Sequence, residues 1–86
     1  MPYIKNSDRN NLDSHLMKME ITSAGNLNYC LTKLVQSFLG DNPRYDNYNS
    51  AIGALECCKL ELYRRMIAPY EDKKIQENGD VYGRQD

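Results

Sequence analysis

The stretch "ALECCKLELYRRMIAPYEDKKIQENGDVY", residues 54–82, decides how the rest of this chain is read. Its apolar residues recur at steps of three and four, and the pattern extends back to about Asn47, so the spacing predicts a long helix. At 100° per residue with Ile52 at zero, Tyr48, Leu55, Leu62 and Met66 fall at about 280–320°, and Tyr63, Ile67 and Leu60 at about 20–80°. That apolar arc spans roughly 200°, whereas a helix covering one side of a monomeric core needs little more than about 100°. Such a helix asks for cover from two directions. Neighbouring helices of the same chain supply one, and a second subunit supplies the other. The small residues Ala51, Gly53, Ala54, Cys57 and Cys58 allow a neighbour to come close.

Inside the arc stand two opposite charges, Glu56 at about 40° and Lys59 at about 340°, on either side of Tyr63. An unpaired buried charge is costly, so the two must pair with each other, pair across an interface, or open onto a cavity. Their i,i+3 spacing lets them meet. Two readings stay open from the residues alone. One is a structural ion pair, with the Lys59 ammonium reaching water, that fixes the register of subunits. The other is a polar pocket between subunits lined by Glu56, Lys59 and Tyr63. Nothing in the sequence supplies a third group to activate or orient them, so no catalytic residue is assigned.

Pro69 interrupts this helix by removing a backbone donor and crowding the carbonyl four residues earlier, which predicts a kink or a restart. Pro69 also suits the first turn of a new helix, with Glu71 and Asp72 at its positive end and Gly79 stopping it. Upstream, "TSAGNLNYCLTKLVQSFLGDNP", residues 22–43, reads as a second helix. Ser23 fits its N-cap, Leu27, Leu31, Leu34, Val35 and Phe38 form its stripe, and Gly40 stands where a helix ends. Asp41, Asn42 and Pro43 make a turn, after which Asp46 can cap the long helix. Residues 1–13, rich in Asn, Ser and Asp, read as an extended arm docking through Tyr3 and Ile4. Asp13 or Ser14 then caps a short helix to about Ile21. Residues 80–86 read as a tail that Val81 and Tyr82 can anchor. No strand alternation and no repeat is present. The chain is thus one all-α domain, residues 1–86, of three to four helices with a long C-terminal helix kinked at Pro69.

An 86-residue chain buries only about 60–65% of the surface its unfolded form exposes, so its own core is marginal. The three cysteines do not remedy this, because their number is odd and Cys57 and Cys58 diverge on one helix. Reduced thiols filling the core are expected. Homo-oligomerisation is the remaining source of stability. With 11 basic and 12 acidic residues, the chain has no excess of cations for general binding of duplex DNA. No leader-like or membrane-spanning run stands out, which predicts a cytoplasmic protein with no membrane partner. The 41% hydrophobic content and mean hydropathy of −0.75 are those of a folded, polar small domain rather than a disordered chain.

His15 is the lone histidine and no C-x-x-C is present, so neither a metal site nor a Cys-His nucleophile is assigned, and His15 is read as a surface residue. No glycine-rich phosphate or dinucleotide loop is present, and no cofactor is assigned. Cations do gather beside aromatic rings. Arg44 and Tyr45 lie ahead of the long helix, Arg64 and Arg65 near Pro69, and Lys73 and Lys74 beside Tyr70. Most such charges are simply solvated, but copies brought together in an oligomer could surround an anion.

The opening "MPYIK" with Asp8-Arg9, the middle "NLNYCLTKL" and above all "IGALECCKLELYRRMIAPYEDKKIQENGDVY" resemble a family of short proteins of tailed phages and bacteria. The resemblance covers most of the chain. That family carries no assigned activity, so the resemblance implies a phage-associated origin, hence a host cytoplasm, and little chemistry. The size and helix pattern are also similar to those of small helical phage proteins that sequester cyclic-nucleotide signals of bacterial defence, an architectural analogy without a shared motif. The leading expectation is a non-enzymatic homo-oligomer, formed through the Gly53 to Ile67 surface, that captures a small anionic or nucleotide ligand at a subunit interface. The alternative is a module that binds a host or virion protein through its helical face or through its tyrosine-bearing ends.

Overall fold

The computed structural model describes residues 1–82. Four α-helices follow one another: α1 (Asn6–Leu16), α2 (Ala24–Leu39), α3 (Tyr45–Leu62) and α4 (Ala68–Asn78), the last two joined by a π-helical turn (Tyr63–Ile67). Among the described residues there is no strand. The final three segments, of 18, 5 and 11 residues, continue one another as a rod that rises about 50 Å by ideal geometry. This rod accounts for most of the 57 Å length of the molecule.

The helix boundaries follow local chemistry. Ser23 Oγ accepts the Asn26 N–H at 3.0 Å and so caps α2. At the other end Gly40 has φ 73°, where a side chain would be strained, and its N–H donates to the Gln36 carbonyl at 3.1 Å. Both agree with the spacing. The cap of α3 is Arg44 rather than Asp46, because Asn47 Oδ1 turns back to accept the Arg44 N–H at 2.8 Å. Asp46 lies in the first turn instead, where its charge favours the positive helix end.

The arm expected to be extended through residue 13 is helical from Asn6. Backbone N–H groups of Asp8 and Arg9 converge on the Lys5 carbonyl, and Arg9 Nε donates to the Ile4 carbonyl at 2.7 Å, closing the first turn. Ser14 Oγ bonds within this helix, to the Asn11 carbonyl, so it caps nothing. The chain leaves α1 at Met17, and residues expected to be helical through Ile21 form the connection to α2. The short helix expected from Asp13 or Ser14 to about Ile21 thus lies earlier in the chain, and the sequence misplaces it because Leu12 and Leu16 are the only large apolar residues of α1 and no stripe marks it.

Pro69 lies at the start of α4. Just ahead of it the Ala68 N–H reaches the Tyr63 carbonyl, a wider i→i−5 step than the α-helical one. This wider turn is where the backbone absorbs the ring that an unbroken α-helix could not accommodate. Gly79, at φ 93°, ends α4 as its position in the sequence indicates.

The short turn at residues 40–44 folds α2 back onto α3, and no Cα of α1 lies within 8 Å of another helix. Ala51, 6% exposed, is the one buried residue among those described. Cys30 is half-buried and Cys57 and Cys58 are exposed, so the thiols expected to fill a core do not do so within one chain. The accessible surface is 7816 Å², where a compact monomer of this mass exposes about 5,200 Å². The radius of gyration is 17.8 Å, against about 12 Å for a compact domain of this length.

Candidate functional site

Glu56 and Lys59 meet, as their spacing allows, with Lys59 Nζ 3.1 Å from Glu56 Oε2. Their side chains are 53% and 69% exposed in the single chain, so within it the pair lies in water rather than in a core. Tyr63 joins neither. Its hydroxyl donates to Glu71 Oε1 at 2.5 Å, across the π-helical turn, and this bond together with the Glu71 charge raises the phenol pKa above its ordinary value. The link ties the end of α3 to the first turn of α4, bracing the segment that carries the wide turn.

Arg64 pairs with Glu61 at an i,i+3 spacing that a helix allows, and what spacing could not reveal is Tyr3, which reaches both Glu61 and Arg65. Glu61 Oε1 accepts from Tyr3 Oη at 2.9 Å and from Arg64 Nη2 at 2.6 Å. Arg65 Nη1 reaches Tyr3 Oη at 3.5 Å. The Tyr3 hydrogen bond, then the Arg64 guanidinium, hold the Glu61 carboxyl below its usual range, and the same contact raises Arg64. A carboxylate so held is a weak base, better suited to fastening than to taking a proton. What it fastens is the N-terminal segment, which crosses onto α3 through Tyr3 as the sequence indicated. Met1 comes with it, lining an open groove with Cys57, Leu60, Glu61 and Arg64.

The remaining candidates fall into separate places. Lys74 Nζ lies 3.2 Å from Glu77 Oε1 and 5.6 Å from the centre of the Tyr70 ring. Lys74 and Tyr63 share a groove of about 450 Å³ with Ile75, Val81 and Tyr82. There the tail residue Tyr82 donates its N–H to Asp80 Oδ1; residues 83–86 of the expected tail lie outside the described residues. Lys73 is exposed on α4. Arg44 and Tyr45 begin α3, about 30 Å of helix away from Arg64 by ideal rise. One chain therefore does not gather Arg44, Tyr45, Lys59, Arg64, Lys73 and Lys74 around a single ligand.

A family model described as "Domain of unknown function (DUF6899)" matches residues 1–81. The chain belongs to this family. The match takes in α1 through α4, together with the arm that carries Tyr3 and the beginning of the tail. No curated protein and no solved structure matches the chain. Among the described residues no helix is long and apolar enough to cross a membrane.

Proposed function

We propose that this member of the DUF6899 family is a non-enzymatic binding protein whose working form is a homo-oligomer, with a small anionic ligand held where subunits meet. The observation that supports it is the isolation of Ala51 as a buried residue in a chain with apolar side chains exposed along every helix. Such a chain reaches ordinary stability only when another surface covers it. The anionic class is supported by Arg44 and Arg65, guanidinium groups that form no ion pair with a carboxylate among the described residues. Guanidinium groups favour phosphate and carboxylate ligands through paired donors. The resemblance to phage proteins makes a signalling nucleotide the first ligand to try, in a host cytoplasm. The bend expected at Pro69 belongs to the same proposal, since it would set the angle between the α3 and α4 surfaces.

Native mass measurement of the purified protein tests the assembly and shows any copurifying ligand. Thermal shifts against cyclic and linear nucleotides test the ligand class. An oligomer that no nucleotide stabilises would leave the assembly and remove the ligand.

The exposure of Val81 and Tyr82, at 90% and 84%, favours a second reading, in which the chain binds a host or virion protein through its ends. Deleting residues 80–86 abolishes a tail-mediated partner, whereas a ligand site between subunits survives it.

A further inference from the structure

The groove between α2 and α3 is lined by Leu31, Leu34, Val35 and Phe38 from one helix and Ala51, Ala54, Leu55 and Cys58 from the other, and encloses about 240 Å³. Its walls carry no charge, so a charged peptide would find nothing here to pair with its own groups, and the anion proposed above would be held outside this groove, where Arg44 and Arg65 of the assembled copies lie. We infer that this groove is the surface on which a second copy of the same chain docks, face to face about a two-fold axis. The inference rests on the homo-oligomer proposed above and names the face through which it forms.

The area argues for a second copy. The single chain exposes 7816 Å², roughly 2,600 Å² more than a compact monomer of its mass. Permanent homodimers bury about 1,000–2,500 Å² on each partner, an area this per-chain excess covers, and their interfaces resemble a protein core cut in half. The α2–α3 groove has that composition, with large and small apolar residues side by side.

Shape argues for the two-fold. Phe38 and Leu34 stand up from α2, 60% and 50% exposed, while Ala51 and Ala54 make a low floor on α3. A patch with a ridge beside a floor is complementary to itself when rotated by half a turn, which is what an isologous interface requires. A net charge of −1 sets up little repulsion between copies. The surface expected from sequence, Gly53 to Ile67, supplies only part of this face. The rest comes from α2, whose stripe one chain leaves half uncovered.

Cys57 and Cys58 provide the test, because they are chemically alike neighbours on different faces. Cys58 lines the α2–α3 groove, while Cys57 lines the groove beside Met1 and Arg64. Alkylation with iodoacetamide is followed by mass spectrometry on Cys57→Ser and Cys58→Ser variants at several protein concentrations. The expected result is that the Cys58 thiol reacts about tenfold more slowly than the Cys57 thiol when its access is blocked, and that dilution removes the difference. Phe38→Glu, at a position exposed in the single chain, is expected to lower the native mass and release the Cys58 thiol. Should that variant fail to fold, the alkylation ratio of the Phe38-bearing protein still decides. Equal rates in a protein shown to be oligomeric would overturn the docking face and leave the homo-oligomer standing. Slow reaction of Cys58 that persists in Phe38→Glu once its native mass is that of a single chain would also overturn it, by showing that the chain's own residues cover the groove. A folded monomer would remove both proposals.

Discussion

Tyr3 and Glu61 stand 58 positions apart and meet through one hydrogen bond, and Arg64, in the π-helical turn after α3, donates to the same Glu61 oxygen. The sequence marks Tyr3 as an anchor and Arg64 as a candidate; Glu61 is not singled out there although its i,i+3 spacing to Arg64 is legible, and its bond to Tyr3 is not, since that depends on an arm arriving from far away in the chain. Folding lowers the Glu61 pKa, chiefly through Tyr3 and then Arg64, so the folded chain holds that proton more weakly than the unfolded one. Its contribution is therefore complete above the ordinary carboxylate range and is lost as pH falls through the depressed value. Protection of the amides of residues 3–9 against hydrogen exchange, relative to their intrinsic rates, is expected to fall over that acidic window in the native protein, and Glu61→Gln is expected to lower it at neutral pH and flatten its pH dependence. Unchanged exchange in that variant would mean that the arm is held by something else. Glu56 and Lys59 behave differently. The helical wheel foresees that they can meet, yet the arc cannot show how little one chain covers them. For a pair this exposed, Glu56→Ala is expected to change stability by about 0.5 kcal/mol or less in the monomeric state. A larger loss that appears only in the assembled protein would place the pair at an interface, which thermal melts at two concentrations distinguish.

At the scale of helices, the legible ones are those with a cap, a stripe and a stop. Helix α2 has all three in Ser23, the Leu27 to Phe38 series and Gly40, and its bounds agree with the spacing. Ser23→Ala and Gly40→Ala are each expected to cost about 1 kcal/mol, the first by losing the N-terminal bond and the second by straining a left-handed backbone. Thermal melts against the unaltered chain measure both. Helix α1 lacks a stripe, and its Asn, Asp and Ser residues read as turn formers, so a first helix was expected but its start at Asn6, where the chain closes a turn around Lys5, was hidden. A polar helix of 11 residues is also too short to persist alone in water. Pro69 was legible as an interruption, but the form of the response was not. The wide turn is a choice among several ways to place a proline ring, and it is made by backbone packing rather than by residue type. Because that turn already accommodates the ring, Pro69→Ala is expected to raise stability by about 1 kcal/mol or less, rather than the roughly 3 kcal/mol that separates proline from alanine inside a regular helix. A gain near the larger figure would show that the ring strains the rod.

For the whole molecule, the 200° arc around α3 predicted more apolar surface than one chain can cover, and the buried set of the described residues, Ala51 alone, agrees with it. Size and composition anticipated this shortage because a chain of 86 residues has little interior to offer. Which face meets which was not legible, since the groove is built jointly by α2 and α3 and exists only after the turn at residues 40–44 has folded one onto the other. The scatter of the candidate cations along a molecule 57 Å long has the same origin, for sequence spacing says nothing about how copies align. Sedimentation equilibrium combined with thermal melts across a hundredfold dilution tests the self-association most directly. The account predicts a mass that is a multiple of 10.0 kDa and an unfolding midpoint that rises with concentration. A folded particle of 10.0 kDa whose midpoint does not move on dilution would contradict it.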